Sequence, residues 1–86
     1  MYHVRELDDF INEGYKDTIG NMNVSVGMED ISRGYYTISI NNIDGIGLSF
    51  IATEEFIRHK HLFKPILVEK ITEIENFEKT ATHSEP

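Results

Sequence analysis

Val4, Leu7, Phe10 and Ile11 recur at the spacing of one helical face, and the positions between them are mostly polar. This predicts an amphipathic helix over residues 3–14, closed by Gly14, the residue type best suited to a left-handed cap. From Met22 the period falls to two: Met22, Val24, Val26 and Met28 alternate with Asn23, Ser25 and Gly27. The alternation returns as Tyr36, Ile38 and Ile40 against Tyr35, Thr37 and Ser39, and again as Ile46, Leu48 and Phe50 against Gly47 and Ser49. A period of two with one polar side marks a half-buried strand, so three strands follow one another without a helix between them. Such short connections predict an antiparallel meander with one solvated face, and helices must cover the other.

The turn after the second strand decides which residues share a face. A two-residue loop, Asp44-Gly45, would put Ile40 and Leu48 on opposite sides of the sheet. A three-residue loop, Ile43-Asp44-Gly45, with Gly45 at positive φ, instead brings Ile38, Ile40, Leu48 and Phe50 together, and this register is expected. Beyond the third strand, Thr53 reads as an N-cap, and Glu54 and Glu55 suit the positive end of a helix dipole. A short helix to about Phe63 should follow. Pro65 disfavours helical geometry at Lys64 and fits the first turn of another helix, along which Leu67, Ile71 and Ile74 and then Phe77 or Glu78 keep helical spacing. Ile66-Leu67-Val68 alternatively opens a strand. Residues 80–86 carry no apolar residue beyond Ala81 and read as a frayed tail. The expected fold is α+β: an N-terminal helix, a three-stranded antiparallel meander and two C-terminal helices packed on one sheet face, within one domain over residues 1–79.

With 86 residues and no cysteine, the chain has one small core and neither disulfides nor thiolate chemistry. A domain of this size buries only roughly 60 to 65% of its unfolded surface, which favours surface function over a deep pocket. The N-terminal residues do not form an export signal and no apolar run is long enough for a membrane span, so a cytoplasmic protein is expected.

Charge changes the picture further. Fifteen Asp and Glu stand against eight Lys and Arg, a net charge of −7. Residues 1–55 sum to −7, residues 56–64 to +3 and residues 65–86 to −3, so the acid is spread out and the base is local. Glu6, Asp9 and Glu13 form one outward stripe of the first helix, with Asp8 beside it and Asp17 in the following turn. Glu69 and Glu73 repeat the spacing. Regular anions of this kind would be drawn to an enzyme groove lined with Lys and Arg, by the field that steers nucleic acid. The bland alternative is a charged face that serves only solubility. Direct nucleic-acid binding is disfavoured by the negative charge. The Arg58 to Lys64 segment either pairs with the acids internally or meets an acidic partner.

Catalytic signals are missing. His59 and His61 stand about 200° apart on a helix and do not converge on a metal. The acids lie on polar stripes where nothing desolvates them, and the serines have no nucleophile-elbow context. No enzyme, cofactor or metal is therefore expected. Tyr35 should face solvent beside Thr37 and Ser39, either as an interface anchor or packed against a strand neighbour.

The element order, the acid surplus, the N-terminal helix and the stretch Ile38-Ser39-Ile40-Asn41-Asn42-Ile43-Asp44-Gly45 together resemble small phage-encoded anti-CRISPR proteins that inhibit Cas9. The resemblance implies a decoy, or DNA mimic, of the surface that reads the protospacer-adjacent motif and holds the duplex, acting in the host cytoplasm. This chain departs from that family at its third helix. The family concentrates acid there, whereas Arg58, Lys60 and Lys64 make the region basic, so the contact surface does not transfer residue by residue.

The resulting expectation is a small acidic inhibitor whose partner is a basic nucleic-acid enzyme such as a CRISPR effector nuclease. Its candidate partner-binding residues are Glu6, Asp9, Glu13, Asp17, Glu29, Asp30 and Tyr35. The alternative is a regulatory interaction module that uses the exposed sheet face. An exposed sheet edge also leaves room for a homodimer.

Overall fold

Alternating inward and outward residues build a sheet in the order β1-β2-β3-β4, antiparallel throughout, in a computed structural model that describes residues 2–30 and 32–82. The elements are β1 (Tyr2–His3), α1 (Arg5–Gly14), α2 (Lys16–Ile19), β2 (Asn23–Asp30), β3 (Tyr35–Asn41), β4 (Gly47–Thr53), α3 (Glu54–Arg58) and α4 (Lys60–Thr82). The α+β meander and its covering helices are as expected from the pattern, with the short β1 added on the outer edge of β2.

The three-residue turn sets the core register. Gly45 takes φ +87° and its N–H donates to the Asn42 carbonyl, while Asn42 Oδ1 accepts from the N–H groups of Asp44 and Ile46. Ile40 then stands opposite Leu48 and Ile38 opposite Phe50, on the face the helices cover. Gly47 has no room for a side chain, because a Cβ there would strike the Ile40 carbonyl and Asn41. The opposite face carries Ser25, Ser39 and Ser49 in one row across three strands.

Inside lie Leu7, Ile11, Tyr15, Ile19, Val24, Val26, Ile38, Ile40, Ile57, Phe63, Leu67 and Ile74, each at most 7% exposed. Tyr15 and Phe63 meet edge to face, with ring centroids 5.3 Å apart, in the geometry that aromatic quadrupoles prefer.

Three expected boundaries are corrected. Gly14 does not end the first helical region, because burial of Tyr15 and Ile19 carries the chain on into α2. The left-handed residue is Gly20, at φ +57°. The break expected near Phe63 and Pro65 falls instead at His59, which is extended at φ −93° and ψ 94°, and Pro65 lies inside α4. Ile57 and Phe63 are both fully buried, yet at about 100° per residue a continuous helix would turn six positions to faces some 240° apart. A break between them lets both point inward. The Ile66-Leu67-Val68 stretch is helical, with Leu67 buried and Val68 half exposed. Finally, α4 runs through Thr82, so residues 80–82 are helix and not tail; residues 83–86 lie outside the described residues.

Candidate functional site

Helix α1 divides its polar residues between two tasks. Leu7 and Ile11 enter the core, and Asp8 and Asn12, one step further round, reach the edge of β2. Asp8 Oδ1 accepts from the Val26 N–H at 2.6 Å, and Asn12 Nδ2 donates to the Val24 carbonyl at 3.2 Å. With Val4 N–H donating to the Val26 carbonyl, these side chains continue the ladder that β1 begins and close that edge of the sheet. Glu6, Asp9 and Glu13 point the other way. All three are exposed, and among the described residues none enters an ion pair or hydrogen bond. Glu13 sits in the last turn of α1, where the helix dipole disfavours an anion and no basic residue offsets it. The stripe therefore does not serve helix stability.

The other expected site residues lie elsewhere. Asp17, on α2, is 3.5 Å from Lys64 Nζ, and that ammonium holds its carboxyl below the ordinary 3.8, helped by Lys60. Glu29 accepts from the Thr37 hydroxyl at 2.8 Å on the outer sheet face. Asp30 accepts from the N–H and hydroxyl of Ser32, shaping the β2–β3 turn, and lies 3.8 Å from Arg33. Tyr35 pairs with Thr53 on the outer face and is 37% exposed, close to half covered for so large a ring. The seven residues thus occupy three separate places: the α1 stripe, the α2 contact with α4, and the β2–β3 hairpin with its neighbouring sheet face.

The basic segment is largely engaged within the chain. Arg58 Nε lies 2.9 Å from Glu54 Oε2, and its guanidinium stands 4.9 Å over the Phe10 ring. Lys64 meets Asp17. The Arg58 pair has i,i+4 spacing and was legible in the sequence, whereas the Lys64 contact joins residues 47 apart and was not.

A groove of about 650 Å³ runs between the α2–β2 loop, the β3–β4 turn and α4, lined among others by Thr18, Asn21, Asn42, Ile71 and Glu75. Thr18 Oγ1 and Asn42 Nδ2 are buried in its wall without hydrogen-bond partners. Sequence reasoning missed this groove because its walls come from three distant segments. Among the described residues no three His, Asp or Glu side chains gather closely enough to hold a metal ion, and none of the described helices is long and apolar enough to cross a membrane. Comparison with protein-family models, curated proteins and solved structures finds no match.

Proposed function

We propose that this protein is a non-catalytic acidic binder that docks the α1 stripe onto the Lys- and Arg-lined groove of a nucleic-acid-processing enzyme, such as a CRISPR effector nuclease, and blocks its nucleic-acid site. The observation that carries this reading is the contrast in how charges are used. Glu6, Asp9 and Glu13 have no partner among the described residues, while Arg58 and Lys64 are paired within the chain. From Glu6 to Glu13 the helix rises about 10 Å, so the stripe presents one carboxylate per roughly 5 Å of axis. A single DNA strand presents one phosphate per about 3.4 Å. The stripe is thus of comparable, somewhat lower charge density.

The test is binding to a panel of guide-loaded CRISPR effector nucleases, with and without duplex DNA, at about 0.02 M and about 0.5 M salt, where screening shortens the reach of charge severalfold. Binding that competes with DNA, weakens at high salt and falls at least tenfold in a Glu6→Lys, Asp9→Lys, Glu13→Lys variant is expected. Absence of binding across the panel, or binding indifferent to DNA and to charge reversal, overturns the reading. A second mode is favoured by the flat outer sheet face, where the Ser25–Ser39–Ser49 row is flanked by Tyr35 and by Ile51, which is 59% exposed. Binding through that face would persist at high salt and be lost with Tyr35→Ala.

A further inference from the structure

The two edges of the sheet are treated differently. On β2, the outward backbone groups of Val24, Val26 and Met28 are met by Asn12, by Val4 and Asp8, and by β1. On β4 no strand pairs with the outer edge among the described residues. Its sequence, Gly-Leu-Ser-Phe-Ile-Ala-Thr, has no charge and no proline, and its pairing with β3 runs without a bulge. Charges, prolines and bulges are the devices that normally keep such an edge from pairing. Beside it, Ile51 is exposed, and Leu48 and Phe50 are only partly covered.

Which backbone groups are available follows from the turn. The Asn42 N–H donates to the Ile46 carbonyl, and hydrogen-bonded pairs in an antiparallel ladder recur every second residue. Leu48, Phe50 and Ala52 therefore bond to β3, and Gly47, Ser49, Ile51 and Thr53 direct their N–H groups outward.

We propose that two copies of this chain pair antiparallel through β4, about a two-fold axis at Phe50, to form one continuous eight-stranded sheet. In this register Ser49 of each copy exchanges hydrogen bonds with Ile51 of the other, Gly47 faces Thr53, Leu48 faces Ala52, and the two Phe50 side chains meet on the helix-covered face. It uses all seven residues of the strand. Sliding one step either way puts Glu54 opposite Leu48, or Thr53 opposite Gly45 in the turn, so the centred register alone keeps the ladder uncharged and within the strands. Lys70, which overlies the Phe50 ring at 5.8 Å, is paired with Glu73 of its own chain. The acidic α1 packs at the β2 edge, so the pairing carries the two stripes to opposite ends of the sheet and presents them bivalently.

A seven-residue ladder is about 23 Å long and belongs to the small, weak class of interfaces. Sedimentation equilibrium from about 10 µM to about 1 mM covers the range where mass action would reveal it. The mass should rise from 9.9 kDa toward twice that value with concentration. Each copy carries a charge of −7, so added salt should strengthen the association, the opposite of its effect on acid-led binding to a basic partner. Failure of one reading is thus distinguishable from failure of the other.

Ser49→Pro removes an outward donor without touching the β3 ladder, and Ile51→Lys places a charge on the edge. Both variants, shown to be folded by circular dichroism, should remain at 9.9 kDa throughout. In hydrogen exchange, the amides of Ser49, Ile51 and Thr53 should slow at least tenfold at high concentration, while those of Leu48, Phe50 and Ala52 are protected at all concentrations. A parent protein that stays monomeric to the highest concentration in high salt overturns the proposal, as does a dimer unaffected by either variant.

Discussion

The Tyr15 hydroxyl donates a 2.8 Å hydrogen bond to the Ile57 carbonyl, 42 residues along the chain. That carbonyl belongs to the last turn of α3, where no α-helical donor follows, so a tyrosine from the N-terminal segment satisfies the end of a helix formed much later. The same ring lies between Phe10 and Phe63, at centroid distances of 6.0 and 5.3 Å.

Tyr15→Phe keeps the ring contacts and leaves the buried Ile57 carbonyl without its donor. A loss of about 1 to 2 kcal/mol in unfolding free energy is expected. It should appear as a lower urea midpoint with an unchanged slope, since the compactness of the fold is preserved. An unaltered midpoint would show that water replaces the hydroxyl.

Alkaline pH should expose the same linkage. Burial raises the Tyr15 phenol above its ordinary 10.0, and burial together with the nearby Glu54 carboxylate raises Tyr36. The unfolded chain releases these protons near pH 10 and the folded chain only above it, so their effect on stability is constant below pH 10. Stability then falls as pH rises toward the folded values. Thermal midpoints should be flat from about pH 8 to 9.5 and decline beyond, with a shallower decline in Tyr15→Phe. A midpoint unchanged to pH 11.5 would count against both shifts.

Asp8 and Asp9 are neighbours of the same type with different surroundings. Asp8→Ala deprives the Val26 N–H of its acceptor and should cost about 1 to 3 kcal/mol. Asp9→Ala, on the exposed stripe, should stay within about 0.5 kcal/mol. Chemical denaturation of the two variants side by side is sufficient, and equal losses would contradict the division of α1 into a structural and a free acidic face.

Much of the fold was legible because it rests on local periodicity. Period two identified three strands, and Ile40 and Leu48 had to share a face, which selected the Gly45 turn. Thr53 was recognised as the cap whose hydroxyl accepts from the Phe56 N–H. The i,i+4 series Ile11–Tyr15–Ile19 was also present, and Gly14 masked it, because glycine signals a stop unless burial on its far side outweighs its preference. Asp8 was read as another surface acid, since nothing local distinguishes it from Asp9.

For the candidate site, the α1 stripe could be read directly, because spacing alone places Glu6, Asp9 and Glu13 on one face. The pairing of Asp17 with Lys64 could not, since it depends on how α2 meets α4.

By itself, the sequence determined which residues seek burial, how they alternate, and how much negative charge the surface must carry, because hydrophobic period and formal charge are properties of neighbours along the chain. Only the tertiary structure decided which charges are spent inside the molecule, which sheet edge is closed and where the C-terminal helices divide. Those outcomes depend on distances between segments tens of residues apart, and the competition for one small core settles them.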